Sequence, residues 1–563
     1  MKGYENRGYF IDISSRTFKE VKVNDIIYRM YLGGKGLANK LLYDYGIWNY
    51  DPFSPQNMMV FSSGPLGGVP IPLSTRAWVG FRSPLTGILG GANVGGTLAA
   101  IMKYSGVDFI QVVGKSSKPT YLVITKEGVE FYDADHLWGK DSIETEEILK
   151  KDHGKESAVL AIGPAGENLV RFASINHEKW RQFGRTGPGA VMGSKLLKAI
   201  VFTPYKRTIE VAYPDELAKF LREFIPKLLS HPSEKSYREK GTPGTVEVAN
   251  RLGFFPSYYW SEGTLKEWER ISWENLKKNY FLGPAGCLYC PLACHRNVKS
   301  KKFSVEEDIE YETLYSLGGL TGTNDPDWII YLNDLTDRLG MDTMSLGNVL
   351  GFAIQLSKMG KIDIRLDWNE PEKLKELIFD IAYRRGIGNI LAEGVRIASE
   401  KFNAEDIAVH VKGLEPAGYD PRTLKGMALN YAIAGRGADH LGTMAYAIDI
   451  AGRAGGMQSL GEEKVKAIID YENLSSVMDS AILCKFGRYV YDFTTIAKLL
   501  NYVTGMEFNE NDVRTIGERI TNITRLINVR MGVDKRNDRL PKKFFEPLKV
   551  NDTVYRLTEE EFH

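Results

Sequence analysis

Cysteine is scarce in this chain of 563 residues, with four in all: Cys287, Cys290, Cys294 and Cys484. So few thiols, behind a start (Met1-Lys-Gly-Tyr-Glu-Asn-Arg) that lacks the apolar core of a leader, exclude a disulfide-built secreted scaffold and read as a reducing, cytoplasmic setting. No uninterrupted apolar run reaches the ~18 residues of a membrane-spanning helix, so no span is expected. An excess of either charge is also lacking. Lys+Arg 72 against Asp+Glu 71 argues against a general nucleic-acid or membrane-surface role. Neither a tandem repeat nor a low-complexity tract is read, and no stretch has the spacing and context of a P-loop or a Rossmann fingerprint, so nucleotide binding is not supported. What remains is a 43% hydrophobic, 25% charged composition, ordinary for a soluble globular protein with ample chain for large cores.

Three of the four cysteines fall in Cys287-Leu-Tyr-Cys290-Pro-Leu-Ala-Cys294. This spacing brings three thiolates to one side of a loop, and soft thiolates select iron-sulfur clusters, zinc or copper(I). Structural zinc usually takes two local Cys-x2-Cys pairs, whereas three clustered cysteines plus one remote suit a cubane better; zinc and unligated thiols stand as the alternatives.

Glycine, by contrast, is abundant at 56 residues. It gathers in a stretch from Ser74 to Gly96 that includes Arg76, Arg82 and Asn93, and in Gly184-Arg185-Thr-Gly187-Pro-Gly189. Glycines let backbone N–H groups approach an anion closely and arginines add charge-assisted bonds, so both stretches read as cradles for a phosphorylated cofactor, with turns in a sheet-rich domain as the alternative.

The pattern predicts an α+β protein. Short β-like runs (Tyr9 to Ile13, Met59 to Ser63, Ala77 to Arg82, Phe109 to Gly114, Tyr121 to Thr125) and one helix, Gly36 to Tyr45, make residues 1–208 a β-rich domain. Helical periodicity dominates 209–410, with helices headed by Asp215 and over Ile329 to Leu339 and Leu346 to Lys358. The run from Glu306 to Glu312 reads as a solvated loop. A third region, 411–563, begins with a linker-like Gly/Pro-rich entry from Lys412 to Arg422 and ends in an amphipathic helix carrying Val513, Ile516, Ile520, Ile523 and Ile527. Asp337-Arg-Leu-Gly-Met-Asp342 and Asp479-Ser-Ala-Ile-Leu-Cys484 resemble each other, each starting with Asp and placing a metal-ligand type of residue five positions on.

With Gly33-Gly-Lys-Gly-Leu-Ala, Ser83-Pro-Leu-Thr-Gly, Gly163-Pro-Ala-Gly-Glu-Asn-Leu-Val and Met192-Gly-Ser-Lys, these features resemble the tungsten-containing aldehyde:ferredoxin oxidoreductase family over nearly the whole chain. The resemblance implies a β-rich base for a tungsten bis-pterin cofactor, capped by two mainly helical domains, with a [4Fe-4S] cluster beside one pterin. It assigns Cys287, Cys290, Cys294 and Cys484 to the cluster, and Arg76 to a bridge between cluster and pterin. Asp337, Met341, Asp342, Asp479 and Leu483 fall in the two pterin-contacting motifs, and Gly184 and Arg185 in the second cradle. Asn93 and a backbone carbonyl near Phe183 would hold a Mg2+ joining the pterin phosphates. Glu312 and His440 would be the acid-base residues beside the tungsten. The implied reaction takes an aldehyde to the acid and passes electrons singly to ferredoxin or a small ferredoxin-like subunit. Molybdenum in place of tungsten, or a catalytic subunit acting on an aromatic acyl thioester in a larger redox complex, are the alternatives.

Departures from the pattern carry expectations too. Ile482 replaces a glycine in the second Asp motif, so its turn is expected to differ locally. Tyr331-Leu-Asn-Asp334 stands where some members carry a Glu-x2-His pair for a dimer-bridging iron, which predicts no such iron and any homo- or hetero-oligomer formed without it. The chain stops soon after Leu540-Pro-Lys-Lys, consistent with a separate electron-carrying partner.

Overall fold

The computed structural model describes residues 1–563. Its N-terminal part holds two six-stranded sheets. The first contains β1 (Gly8–Asp12), β2 (Thr17–Val21), β3 (Met59–Ser62), β4 (Ala77–Arg82), β5 (Leu89–Val94) and β6 (Phe109–Val113) in the order β2-β1-β6-β3-β4-β5. The second contains β7 (Thr120–Thr125), β8 (Gly128–Asp133), β9 (Ala158–Ala161), β10 (Ile175–His177), β11 (Arg181–Phe183) and β12 (Leu197–Phe202) in the order β11-β10-β9-β12-β7-β8. The order is the same in both once the second half is renumbered from its own first strand. The parallel pairs also correspond, β1 with β6 and β7 with β12, while every other pairing is antiparallel. The expectation of no repeat is thus overturned at the level of topology. The halves retain little common sequence beyond Gly64-Pro-Leu-Gly67 after β3 and Gly163-Pro-Ala-Gly166 after β9.

Alternation sets the packing. Met59 and Phe61 of β3 point into the layer between the sheets, as do Ile200 and Phe202 of β12, while Val60 and Val201 face the helices on the outer sides. Strands covered on both faces must be apolar throughout, which is why these read as continuous hydrophobic runs. Helix α1 (Gly34–Tyr45) backs the first sheet and α2 (Ser142–His153) the second.

The rest of the chain is mainly helical. Its principal helices include α3 (Pro326–Leu339), α4 (Glu462–Ala481) and α5 (Glu510–Arg530), and residues on both sides of 410, such as Val349 and Tyr431, share one apolar core. The C-terminus of α3 docks on Gly163 and that of α4 on Gly34, where a Cβ would meet the Leu339 and Asp479 carbonyl oxygens respectively. Each helix then ends in a left-handed residue, Gly340 (φ 80°) and Ile482 (φ 68°). The following amides, Met341 N–H to Thr336 O (3.1 Å) and Leu483 N–H to Met478 O (2.8 Å), close the same six-residue cap.

The turn at Ile482 therefore does not differ, contrary to expectation. A β-branched residue in this conformation costs roughly 1–2 kcal/mol. Fully buried against Gly34 and Gly64, the Ile482 side chain returns about 1.5–3 kcal/mol.

Two further expectations are corrected. The acidic run is no solvated loop: Glu306–Asp308 is a strand, and Glu307 and Asp308 are buried. Nor is the Gly/Pro-rich entry near residue 411 a linker. Leu414, Ala417, Tyr419 and Asp420 are buried, and Tyr419 lines the central cavity. Composition marked both as exposed because it does not register that cavity walls and buried hydrogen-bond networks also use charge, glycine and proline.

Candidate active site

The cysteine run is the tip of a hairpin whose strands, Phe281–Ala285 and His295–Lys299, pair Ala285 with His295. Cys484 reaches the same place from the opposite side. It follows the α4 cap directly, with its N–H donated to Leu73 O at 2.9 Å. Arg76 faces Cys484, Cys287 and Cys294 together, and its Nη2 lies 3.6 Å from Cys484 Sγ. The structure thus brings three thiols around one guanidinium, with Cys290 beside Cys287 and Cys484.

The sulfurs are not equivalent. Cys287 accepts a hydrogen bond from Gly96 N–H at 3.1 Å and others from the side chains of His295 and Arg181. Burial pushes its thiol up, but His295, Arg76 and Arg181 outweigh burial and bring it down to about 5. Burial and the neighbouring sulfurs push Cys290 up to about 12. Four cysteines gathered in one place, none of them in a disulfide, fit a multinuclear metal that takes soft thiolates.

His295 was not singled out in the sequence, although it follows Cys294 directly. Its Nδ1 bonds Asp308, and these two with Glu310 place ligand atoms within 4.8 Å of one another. Because His295 is engaged by Asp308 and by Cys287, the trio reads as support for that sulfur rather than as a separate metal site.

Next to the thiols, the edge strands β5 and β11 offer one amide each to the paired aspartates. Asn93 Nδ2 approaches Asp479 Oδ1 at 3.4 Å, and Gln182 Nε2 bonds Asp337 Oδ1 at 2.8 Å. Gln182 is the counterpart of Asn93 in the second half, legible only once the duplication is seen. Counter-groups differ: Lys485 Nζ sits 2.8 Å from Asp479, whereas Asp337 hydrogen-bonds the Glu307 carboxyl. Asp342 caps the following helix through Met344 N–H (3.2 Å) and Ser345 N–H (3.3 Å), and pairs with Arg185 Nε at 3.0 Å. Gly184 and Met341 line the same cavity. Phe183 and Leu483 turn their side chains into apolar cores, leaving only their backbone for a ligand.

The cavity between sheets and helices holds about 220 Å³ and shares Asn93, Arg436, Leu441 and Lys485 in its lining with a second of about 40 Å³. Glu312 and His440 face each other within it, His440 Nε2 lying 3.5 Å from Glu312 Oε1. Gly418 N–H holds the other Glu312 oxygen at 3.0 Å. Burial pushes Glu312 up to about 8 and His440 down to about 3, so at neutral pH the contact joins a protonated carboxyl to a neutral imidazole and is not an ion pair. Glu312 Oε1 and His440 Nδ1 are buried without a protein hydrogen-bond partner. Orphaned polar atoms of this kind fit a polar group seated between the sheets and this pair.

The family model described as the N-terminal domain of aldehyde ferredoxin oxidoreductase matches residues 9–204, and that for its domains 2 and 3 matches residues 219–560. A tungsten-containing aldehyde ferredoxin oxidoreductase of Pyrococcus horikoshii is 38% identical over 561 residues, covering 97% of this chain and 92% of the relative. An aliphatic sulfonate oxidoreductase, WOR-like subunit, of Pyrococcus furiosus is 30% identical over 589 residues, covering 97% and 90%. Among solved structures, the active-site complex BamBC of benzoyl coenzyme A reductase shares the fold, with a TM-score of 0.85 at 24% identity over 96% of this chain and 91% of that one. The chain belongs to the aldehyde ferredoxin oxidoreductase family.

Proposed function

We propose that this protein is a tungsten-dependent oxidoreductase that converts an aldehyde and water to a carboxylic acid, two protons and two electrons, the electrons leaving singly for ferredoxin or a small iron-sulfur subunit. The observation that carries the reading is the Glu312–His440 pair in a cavity lined also by Cys484 and by Asp337 and Asp342, with Asp479 lining the smaller cavity next to it. Residues 1–208 would be the base, with 209–410 and 411–563 the helical caps.

Cys287, Cys290, Cys294 and Cys484 would hold a [4Fe-4S] cluster, with Arg76 bonding both a cluster sulfur ligand and the cofactor. Asp337 and Asp479 would accept from pterin N–H groups, and Asn93 with a backbone carbonyl near Phe183 would meet a Mg2+ on the pterin phosphates. When bound, the tungsten bis-pterin supplies the two-electron oxidant.

The chain's own residues supply the proton handling. Glu312, its affinity for a proton raised by burial, is suited to take one from water near its working pH. His440, held neutral, polarises the aldehyde oxygen through an N–H without charging. Asp439, kept ionised by Arg436 at 2.8 Å despite its burial, stands beside His440, its Oδ1 3.9 Å from Nδ1. Aldehyde-dependent reduction of benzyl viologen by tungsten-loaded protein tests the reading; a loaded enzyme inert to every aldehyde would contradict it.

A further inference from the structure

Aldehyde oxidation releases two protons into a buried site, and a set of polar side chains outside the cavity leads from it toward the surface. Arg488 stands at the inner end. Its guanidinium is buried, yet its bonds go to the Tyr237 hydroxyl (3.0 Å) and to Lys485 O (3.1 Å) rather than to a carboxylate, and Nε has no partner. Three rings surround it, with centroids 5.8 Å (Tyr237), 5.3 Å (Tyr446) and 4.7 Å (Tyr489) away. Tyr237 and Tyr446 line the cavity that holds Glu312, whereas Tyr489 stacks on His231 with centroids 5.3 Å apart.

The second anomaly is Glu234. It precedes Tyr237 by three residues on the helix Pro232–Lys240, so both side chains leave the same face. Glu234 is wholly buried, and its carboxyl oxygens have no hydrogen-bond donor; His231 Nδ1 lies 2.6 Å from Oε2. That nitrogen already accepts from Ser233 N–H at 3.2 Å, so a contact this short requires a proton on the carboxyl, donated to the imidazole. Burial strengthens the hold of Glu234 on its proton, against the pull of His231 and Arg488, the charged side chains that act on it. Helix capping alone does not account for the pair, because a capping glutamate bonds the N-cap backbone N–H, which His231 gives instead to Leu228 O. The His231 side chain is 36% exposed, which makes it the outer end of the set.

We propose that Arg488, Glu234 and His231 form a proton exit from the cavity of Glu312 to solvent, a role that rests on the aldehyde-oxidising reading above. Arg488 keeps its own protons and is a positioning residue: it orients the Tyr237 hydroxyl and, through Nε, a water shared with the Glu234 oxygens. A buried water needs two to four polar partners, and these three orphaned atoms supply them. A proton arriving at Glu234 replaces the one passed to His231 Nδ1, and the imidazole gives one up to solvent, so the set returns to its starting charge. No electron moves along this route.

The experiment measures acetaldehyde-dependent reduction of benzyl viologen by the tungsten-loaded enzyme in weak buffer, with and without added imidazole. His231→Ala is expected to lower kcat by at least about tenfold, with KM and tungsten content unchanged, and imidazole to restore most of the loss by reaching the half-exposed position. Glu234→Gln, of the same shape but unable to pass a proton, should lose as much and gain nothing from imidazole, because its place is sealed from solvent. An undiminished kcat in either variant, or a loss in His231→Ala that imidazole leaves in place, would overturn the exit; the second result is what a lost helix cap alone would give. If His231→Ala does not fold, His231→Asn, which keeps a capping oxygen, is held to the same criteria. Unmodified enzyme inert to every aldehyde would sink the underlying reading instead.

Discussion

Burial raises the affinity of Glu312 for its proton. Glu312 can act as a base only when ionised, so log kcat/KM should climb with a slope of about one per pH unit and level off near pH 8. A flat profile between pH 6 and 8 would remove Glu312 from the proton transfer. Stability runs the other way. The folded carboxyl holds its proton above the ordinary 4.5, so its contribution is fully present below that value and is lost as pH rises through about 8. Glu312→Gln should cut kcat by roughly 10²–10⁴-fold with tungsten and iron contents unchanged, and thermal melts should show that the pH-dependent loss has gone.

Around the thiols, His295 is the residue to test. Hydrogen bonds to cluster sulfurs raise reduction potentials, so His295→Phe should move the midpoint to a more negative value in an EPR-monitored titration. An unmoved midpoint with iron content intact would show that the bond to Cys287 does nothing to the cluster.

Much of this scale was legible, and what was not has a physical reason. Cys287, Cys290 and Cys294 announced themselves by spacing, and Glu312 and His440 through family resemblance. His295, Gln182 and Glu307 were not, because each acts on a partner that only the fold supplies: Cys287 for the first, Asp337 for the other two.

At the scale of elements, the docking of two helix ends on two glycines aims Asp337 and Asp479 at their amides. Gly34 and Gly163 lie directly under the Asp479 and Leu339 carbonyls, in the last turns of α4 and α3. Gly34→Ala and Gly163→Ala should each lower stability by roughly 1–3 kcal/mol, read as a drop in the denaturant midpoint, and should weaken tungsten retention on dialysis. A variant of full stability that keeps its tungsten would mean the helix ends are not held there. The strands Ala77–Arg82 and Phe109–Val113 and the helices ending at Leu339 and Lys358 were readable from periodicity to within a few residues. The matching turn at Ile482 was not. Sequence showed a β-branched residue where glycine is usual; only the packing of that side chain on Gly34 and Gly64 shows what offsets its strain.

For the whole molecule, the duplicated sheets form a base with near-twofold topology, while the site built upon it is asymmetric. Cys484 ends one Asp motif and Asp342 the other. Lys485 partners one aspartate and Glu307 its counterpart. Of the four cysteines, Cys484 reaches the lining of the cavity in which Glu312 and His440 face each other. No helix is long and apolar enough to cross a membrane. The duplication escaped the sequence because topology survives the loss of side-chain identity: alternation and turn glycines suffice to rebuild the strand order.

Metal analysis of purified protein, taken together with its aldehyde-dependent viologen reduction, tests the central claim most directly. The account predicts about one tungsten and about four irons per chain, with viologen reduced only when an aldehyde is added. Zinc in place of iron, with no tungsten and no aldehyde-dependent reduction, would contradict it.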